Sequence, residues 1–232
     1  MLRSLLSGGD PKNFIISLLL SLPIVLLALS LHETAHGYVA YKLGDPTAKN
    51  LGRLTLNPVS HLDPIGCLCM LLAGFGWAKP VPINTRYFKK PRRDMALSAA
   101  AGPISNVILA AVFCALLKVY SLVFPQVYQS LTPNAEKILV LVCIFLNYGI
   151  YLNVSLAVFN LLPVPPFDGS RIFYVFLPPK LYFGIMKYEK YIYLGIMALL
   201  LFGVLSPIIS FVSEGIMGLF SFIFRIPSYY IL

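Results

Sequence analysis

The hydrophobic residues of this chain fall into long runs separated by short polar segments. Three runs predict membrane-spanning helices, at about residues 14–41, 95–124 and 138–162. Each exceeds the roughly 20 apolar residues that a helix needs to cross about 30 Å of hydrocarbon. A fourth stretch, 191–224, is too long for one upright helix. Pro207 near its middle predicts either a hairpin of two short helices or one long kinked helix.

The segment between the first two runs has a different pattern. Residues 51–56 alternate Leu54 and Leu56 with polar side chains, which favours a short β-strand. Residues 65–75 are apolar, but a run of this length is too short for a helical span. We therefore expect a re-entrant or interfacial element there.

Composition places the chain among membrane proteins. Of its 232 residues, 58% are hydrophobic and 12% are charged, whereas a soluble domain carries about 25% charged residues. We expect an all-α polytopic membrane protein in the lipid bilayer of the cell membrane. Its core would be three helices, with a C-terminal hairpin or kinked helix and a short β or re-entrant element between the first two spans.

The distribution of basic residues predicts the orientation. The net charge of +9 requires no nucleic-acid partner, because Lys and Arg gather in the loops between apolar runs. Thirteen of them lie in the loop 42–94 and in the loop after the third run, against three on the opposite side, namely Arg3, Lys12 and Lys137. Loops rich in Lys and Arg stay in the cytoplasm, so we expect both basic loops there and the N-terminus outside.

The first hydrophobic run contains the sequence His-Glu-Thr-Ala-His. Its histidines, His32 and His36, are four residues apart. Four residues turn a helix by about 400°, so both imidazoles project from one face and suit one Zn²⁺. Glu33 lies beside His32, where its carboxylate can reach a metal-bound water and act as general base. Ionisable side chains are costly in hydrocarbon, so this cluster is expected to be functional.

Catalytic zinc usually has three protein ligands, so the chain must supply another. Asp168 is the strongest candidate because it follows the third run directly, after a segment in which three prolines within residues 163–166 prevent regular helix. Irregular backbone at membrane depth is tolerated where it lines a cavity or is buried in protein. His61 and Asp63 are alternative ligands, and His61 is the next in line.

Three segments in order carry a family resemblance. They are H-E-T-A-H in the first run, A-G-P-I-S-N at the start of the second, and N-L-L-P-V-P-P-F-D-G after the third. Together they resemble the site-2 protease family of intramembrane zinc metalloproteases. The likeness also takes in N-P-V-S-H-L-D-P-I-G and G-W-A-K-P-V-P-I-N, and so covers about residues 14–172. The likeness is greatest to the compact prokaryotic-type members of the family that lack a PDZ domain.

The resemblance implies one Zn²⁺ per chain, held by His32, His36 and Asp168. It also implies that Glu33 activates the water and that Asn160 holds the substrate or the developing oxyanion. The substrate would be a transmembrane protein segment, cleaved near the cytoplasmic face. Residues 1–172 would form the metalloprotease core, and residues 173–232, which match no motif, a C-terminal membrane-helix region of the same domain.

Two other functions fit part of this pattern. One is a metal-bearing membrane scaffold or transporter without protease activity, but a transporter is expected to show repeated halves or charged residues in several spans. The other is a peptidase acting on soluble or interfacial substrates. A transmembrane substrate must be locally unwound, and residues 51–56 and 77–84 are candidate edges for binding it by β-augmentation. The pattern predicts no particular oligomeric state.

Overall fold

The computed structural model describes residues 10–66, 69, 78–128, 131–227 and 230. This described part is built of helices and irregular connections and contains no β-strand. The α-helices in chain order are α1 Pro11–Lys42, α2 Thr47–Asn50, α3 Pro91–Val127, α4 Pro133–Asn160, α5 Asp168–Phe173, α6 Pro179–Leu201 and α7 Ser206–Phe224. Short 3₁₀ helices lie at Pro58–His61, Thr85–Tyr87 and Tyr174–Phe176.

The three predicted helices are present as α1, α3 and α4. Within the described residues, these helices and α7 are long and apolar enough to cross a membrane. Each of the three begins a few residues before its apolar run, at a proline in the first turn, where the missing N–H costs nothing. Side chains cap two of these starts: Asp10 accepts from the N–H of Lys12, and Thr132 from that of Ala135.

Helix α3 lies at the centre and packs against α1, α4, α5 and α7. Buried apolar side chains of α3 and α4 form most of the core, including Phe113, Leu117 and Val154. Gly149 allows the close approach of α3 and α4, because a Cβ at that position would overlap the ring of Phe113. Small residues at helix contacts are the usual means of close packing in membranes.

Where the structure describes residues 179–227, they form two α-helices rather than one kinked helix. Helices α6 and α7 are separated by a turn in which Gly203 has φ +72°, a conformation that glycine adopts at no steric cost. Pro207 lies in the first turn of α7, not inside a helix. Helix α6 begins at Pro179, earlier than the apolar pattern predicted, because its first turns are basic and aromatic.

The predicted strand at residues 51–56 is wrong. These residues form turns and irregular backbone, and Leu51 and Leu56 are exposed. The Thr55 carbonyl accepts hydrogen bonds from Oγ1 of Thr34 at 2.6 Å and Nε2 of His61 at 2.7 Å, so side chains satisfy it instead of a neighbouring strand. Of the expected re-entrant element at 65–75, residues 67–68 and 70–75 lie outside the described residues.

The connection between α1 and α3, which we call the first loop, folds back onto the end of α1 that carries the histidines. Three of its side chains, those of Ala48, Leu54 and Val81, meet at Gly37, where an added Cβ would lie 2.7 Å from Cδ2 of Leu54. The loop is also tied to itself, since the N–H of Lys79 donates to the carbonyl of His61 at 2.8 Å. The loop therefore covers α1 one residue beyond the H-E-x-x-H segment.

Candidate metal centre

Helix α1 presents both predicted histidines on one face. The Nε2 atoms of His32 and His36 lie 3.0 Å apart, and the two rings are nearly perpendicular, at 89°. Both residues are buried, with 4% and 7% of their surface exposed. The spacing of four residues thus brings two imidazole nitrogens to one point, as helical geometry predicts.

The carboxylate of Asp168 reaches the same point from the start of α5. Its Oδ2 lies 3.1 Å from Nε2 of His32 and 3.1 Å from Nε2 of His36. One ligand atom from each of the three residues lies within 4.8 Å of the others. Gly169 lets α5 pack against the end of α4, because a Cβ there would overlap the carbonyl groups of Leu161 and Leu162.

A cation fits this cluster. Nδ1 of His36 lies 2.8 Å from the carbonyl oxygen of Ser98, which can only accept, so Nδ1 carries the proton and Nε2 is an acceptor. Oδ2 of Asp168 is buried and receives no hydrogen bond from the part of the chain that the structure describes. Acceptor atoms this close together need a positive charge between them. Two imidazoles and one carboxylate are a ligand set that Zn²⁺ takes in catalytic sites.

The ionisation of Asp168 suits a ligand. Burial raises the pKa of its carboxyl group, but the charge that the imidazoles of His32 and His36 carry when they are protonated lowers the pKa by more. The net pKa therefore lies below the usual range for aspartate. The group is ionised at neutral pH, as metal binding requires.

Glu33 is held beside the cluster by the first loop. It is buried, and its Oε2 accepts a hydrogen bond of 2.8 Å from the N–H of Val81. One carboxylate oxygen is thus fixed by the main chain of a segment 48 residues away. The sequence pattern identified Glu33, but it did not indicate this partner.

Asn160 ends α4, and its amide is bonded within its own helix. Its Nδ2 donates to the carbonyl of Leu156 at 2.9 Å, and the side chain is half-buried. An amide group has two N–H donors, so this bond leaves the other for a ligand. Its role toward substrate stays a prediction.

The alternative ligands have other partners. Nε2 of His61 donates to the carbonyl of Thr55, and its side chain lies against Thr34 on the face of α1 away from the cluster's Nε2 atoms. Oδ1 of Asp63 accepts from the N–H groups of Ile65 and Gly66. Neither belongs to the possible metal-ligand group found among the described residues.

Two residues of α3 shape the cluster and were given no role by the sequence pattern. Gly102 lies against the rings, because an added Cβ would overlap Nε2 of His36 and lie 2.7 Å from Cε1 of His32. Asn106 places its Oδ1 2.6 Å from Nδ1 of His32. The available signal was a small residue and a polar residue within the A-G-P-I-S-N segment of an apolar run.

Comparison with known proteins gives matches over most of the chain. The family model described as Peptidase family M50 matches residues 20–203. "Putative zinc metalloprotease YwhC" of Bacillus subtilis (strain 168) is 41% identical over 205 residues, which cover 87% of this chain and 90% of that protein. "Putative zinc metalloprotease Rip2" of Mycolicibacterium smegmatis is 26% identical over 182 residues, covering 76% of this chain and 64% of that protein.

One further match covers a shorter part of the chain. "Putative zinc metalloprotease MJ0611" of Methanocaldococcus jannaschii is 36% identical over 74 residues, or 32% of this chain and 30% of that protein. No solved structure gives a significant match.

Proposed function

We propose, from the premise that this chain belongs to peptidase family M50 and is a zinc metalloprotease, that it cleaves transmembrane protein segments near the cytoplasmic face. The expected likeness to compact members is confirmed by the match to YwhC over 90% of that protein. The single observation that carries the proposal is the cluster of His32, His36 and Asp168, which lies among helices apolar enough to span a membrane.

His32, His36 and Asp168 would hold one Zn²⁺, each through one atom. When bound, Zn²⁺ lowers the pKa of water toward about 7 and polarises the substrate carbonyl group. Three protein ligands leave an open position for water and substrate, as catalytic sites require. Nδ1 of His32 is hydrogen-bonded to Oδ1 of Asn106, and Nδ1 of His36 to the carbonyl oxygen of Ser98. In both rings Nε2 therefore faces the cluster.

Glu33 would act as the general base. Its Oε2 is engaged by the N–H of Val81, which orients the carboxylate and leaves Oε1 to take the proton of the attacking water. A base held by the main chain needs no reorganisation when the reaction occurs. Asn160 would bind the substrate carbonyl or the oxyanion through its second amide N–H.

The site would face the cytoplasm. The cluster lies nearer to the Lys42 end of α1 than to its start, and nine of the chain's basic residues lie in residues 42–94, which follow it. Such loops are retained on the cytoplasmic side. A position near that end also gives water a short path to the ligands.

The test compares the cleavage of two substrates by the purified protein. One is a single-span membrane protein in vesicles, and the matched control is the same segment made soluble by flanking charged residues. The proposal predicts cleavage of the membrane-embedded substrate, loss of cleavage on zinc chelation, and product masses that place the cut near the cytoplasmic end. Faster cleavage of the soluble segment would identify a peptidase for soluble substrates instead.

A further inference from the structure

We propose that Asn106 and Asn153 form an amide relay that fixes the tautomer of His32 and so keeps its Nε2 available to the metal. Both asparagines are positioning residues: they act through His32 and touch neither metal nor substrate. The proposal rests on His32 being a zinc ligand, as in the proposed function.

The relay crosses three helices in a fully buried place. Asn106 of α3 and Asn153 of α4 are both 0% exposed. Oδ1 of Asn106 lies 2.6 Å from Nδ1 of His32, and its Nδ2 lies 3.1 Å from Oδ1 of Asn153. The Nδ2 of Asn106 also lies 3.3 Å from the carbonyl oxygen of Ala28, and that of Asn153 lies 2.8 Å from the carbonyl oxygen of Gly149.

The orientation of both amides follows from the main-chain carbonyls. The carbonyl of Gly149 can only accept, so the Asn153 NH₂ group must face it and Oδ1 of Asn153 must face Asn106. That oxygen can also only accept, so the Asn106 NH₂ group must face Asn153. The carbonyl of Ala28 makes the same demand on the same NH₂ group. Two independent acceptors thus give one orientation of Asn106.

The tautomer of His32 is the consequence. With its NH₂ group engaged twice, Asn106 turns Oδ1 toward the ring, and an oxygen at 2.6 Å requires a proton on Nδ1. A neutral imidazole carries one proton, so Nε2 is left with its lone pair. This lone pair is directed at His36 and Asp168, where the metal would lie. A ring protonated at Nε2 would be unable to bind metal through that atom.

The two histidines are thus oriented by different means. The Nδ1 of His36 meets a main-chain carbonyl, that of Ser98, which no side-chain substitution can remove. His32 depends on a side chain of α3, which depends in turn on one of α4. Helix α4 therefore acts on the site twice, through Asn153 and through the connection that it makes to Asp168.

The test uses Asn106→Leu and Asn153→Leu, which are close in size to the amide but cannot donate or accept. Zinc affinity is measured by competition with a chelator on purified protein. Loss of a partner that orients a ligand costs about 10–100-fold in metal affinity. We expect a loss in this range for Asn106→Leu, and a smaller loss for Asn153→Leu, because the carbonyl of Ala28 still orients Asn106. Because the relay acts in series, the double variant should bind zinc about as weakly as Asn106→Leu alone.

The matched control is Asn147→Leu. Asn147 is also buried in α4, and its amide donates to the carbonyls of Cys143 and Tyr230, away from the cluster. Its replacement should lower stability without lowering zinc affinity. A merely structural role for the relay would make all the variants alike.

A second readout needs no metal. The chain has three histidines, so selective ¹⁵N-histidine spectra of zinc-free protein should resolve each ring. We expect His32 to carry its proton on Nδ1 in the wild type and in Asn147→Leu, and to lose this preference in Asn106→Leu. If Asn106→Leu does not fold, Asn153→Leu and the wild-type spectrum decide the question.

Two results would overturn the relay. One is a wild-type His32 that carries no proton on Nδ1, and the other is wild-type zinc affinity in folded Asn106→Leu or in folded Asn153→Leu. Failure of the proposed zinc ligation has a different signature, because His32→Ala would then retain zinc. The relay can therefore fail while the metal centre stands, and the two outcomes are distinguishable.

Discussion

At the scale of single residues, the site consists of three acceptor atoms that lie close together. Nε2 of His32, Nε2 of His36 and Oδ2 of Asp168 come together although the aspartate is far from the histidines in sequence. Such an arrangement is stable only with a cation, or with protons that would spoil it as a metal site. The residues of the site are therefore expected to bind metal as a unit rather than singly.

The ligand set gives a first prediction. Asp168→Ala should greatly weaken zinc retention, since it leaves two ligands where catalytic zinc takes three. Asp63→Ala and His61→Ala are the matched controls, and both should retain zinc because their side chains bond to loop main chain instead. Zinc retention is measured as the metal content of each variant after incubation with a chelator and gel filtration. Zinc retained in Asp168→Ala and lost in His61→Ala would transfer the third ligand to His61.

The residue types of the site could be predicted from the sequence, but their supporting partners could not. The spacing of His32 and His36 specifies a helical face by itself. Asn106 contacts His32 across 74 residues, and Val81 contacts Glu33 across 48. Such contacts depend on how α3 and the first loop pack onto α1, and no local pattern encodes that packing.

At the scale of elements, the first loop acts as a support for Glu33. The segment 79–84 is fixed at one place by Glu33, through Val81, and at another by Asp45, whose Oδ2 accepts from the N–H of Asn84 at 2.6 Å. Asp45 is fully buried. A carboxylate bonded to main-chain N–H groups stabilises by about 1.5–3 kcal/mol per bond. Asp45 is thus an anchor of the segment away from the cluster.

This anchor gives a second prediction. Asp45→Ala should release the segment, so that amide hydrogen exchange at Asn84 rises by about 10–100-fold, the equivalent of one lost charged hydrogen bond. Turnover should fall while zinc is retained, because Glu33 loses its fixed support but no ligand changes. The control is Asp10→Ala, which removes a similar bond at the start of α1. Unchanged exchange at Asn84 would contradict the anchoring role.

The elements also show where the hydrophobic pattern succeeds and where it fails. The helices of the long apolar runs were predictable because the main-chain N–H and C=O groups of a segment in a bilayer must find their hydrogen-bond partners within the protein, and a helix provides them. The alternation at Leu54 and Leu56 was misleading, since this loop bonds to Thr34 and His61 rather than to a strand. A strand needs a partner, and alternation alone does not supply one.

Residues 77–84, the other candidate edge for substrate binding, offer few free main-chain N–H groups where the structure describes them. Two residues of the described part of this segment are prolines, and three of its N–H groups already donate to His61, Glu33 and Asp45. Substrate added along it would find few free donors. The segment is better suited to hold the base than to extend a sheet.

At the scale of the whole molecule, the spanning helices and the basic loops together predict how the chain is oriented in the membrane. Within the described residues, four helices are long and apolar enough to span, which is one more than the predicted core. The additional one, α7, ends beside α3, where Nζ of Lys118 donates to the carbonyl of Arg225 at 2.7 Å. The division of the chain at residue 172 stays a prediction, and the family match continues to residue 203.

Orientation gives a third prediction. In a variant whose four native cysteines are replaced, single cysteines at Thr85 and Gln126 should be labelled from opposite sides by a membrane-impermeant thiol reagent. Thr85 lies in the basic loop and Gln126 near the far end of α3, and both are exposed. Thr85 should react only when the cytoplasmic side is accessible. Labelling of both positions from one side would contradict the account of α3 as a span.

The most direct test of the account is the substitution Glu33→Gln. Purified wild type and variant are compared for cleavage of a transmembrane substrate, with zinc content measured in both and Glu136→Gln, on a helix end away from the site, as the matched control. We expect full zinc content, because Glu33 is not a ligand, and a fall in turnover of about 10²–10⁴-fold, because an amide cannot accept the proton of water. Glu136→Gln should cleave normally. A Glu33→Gln protein that holds zinc and cleaves at the wild-type rate would contradict the account.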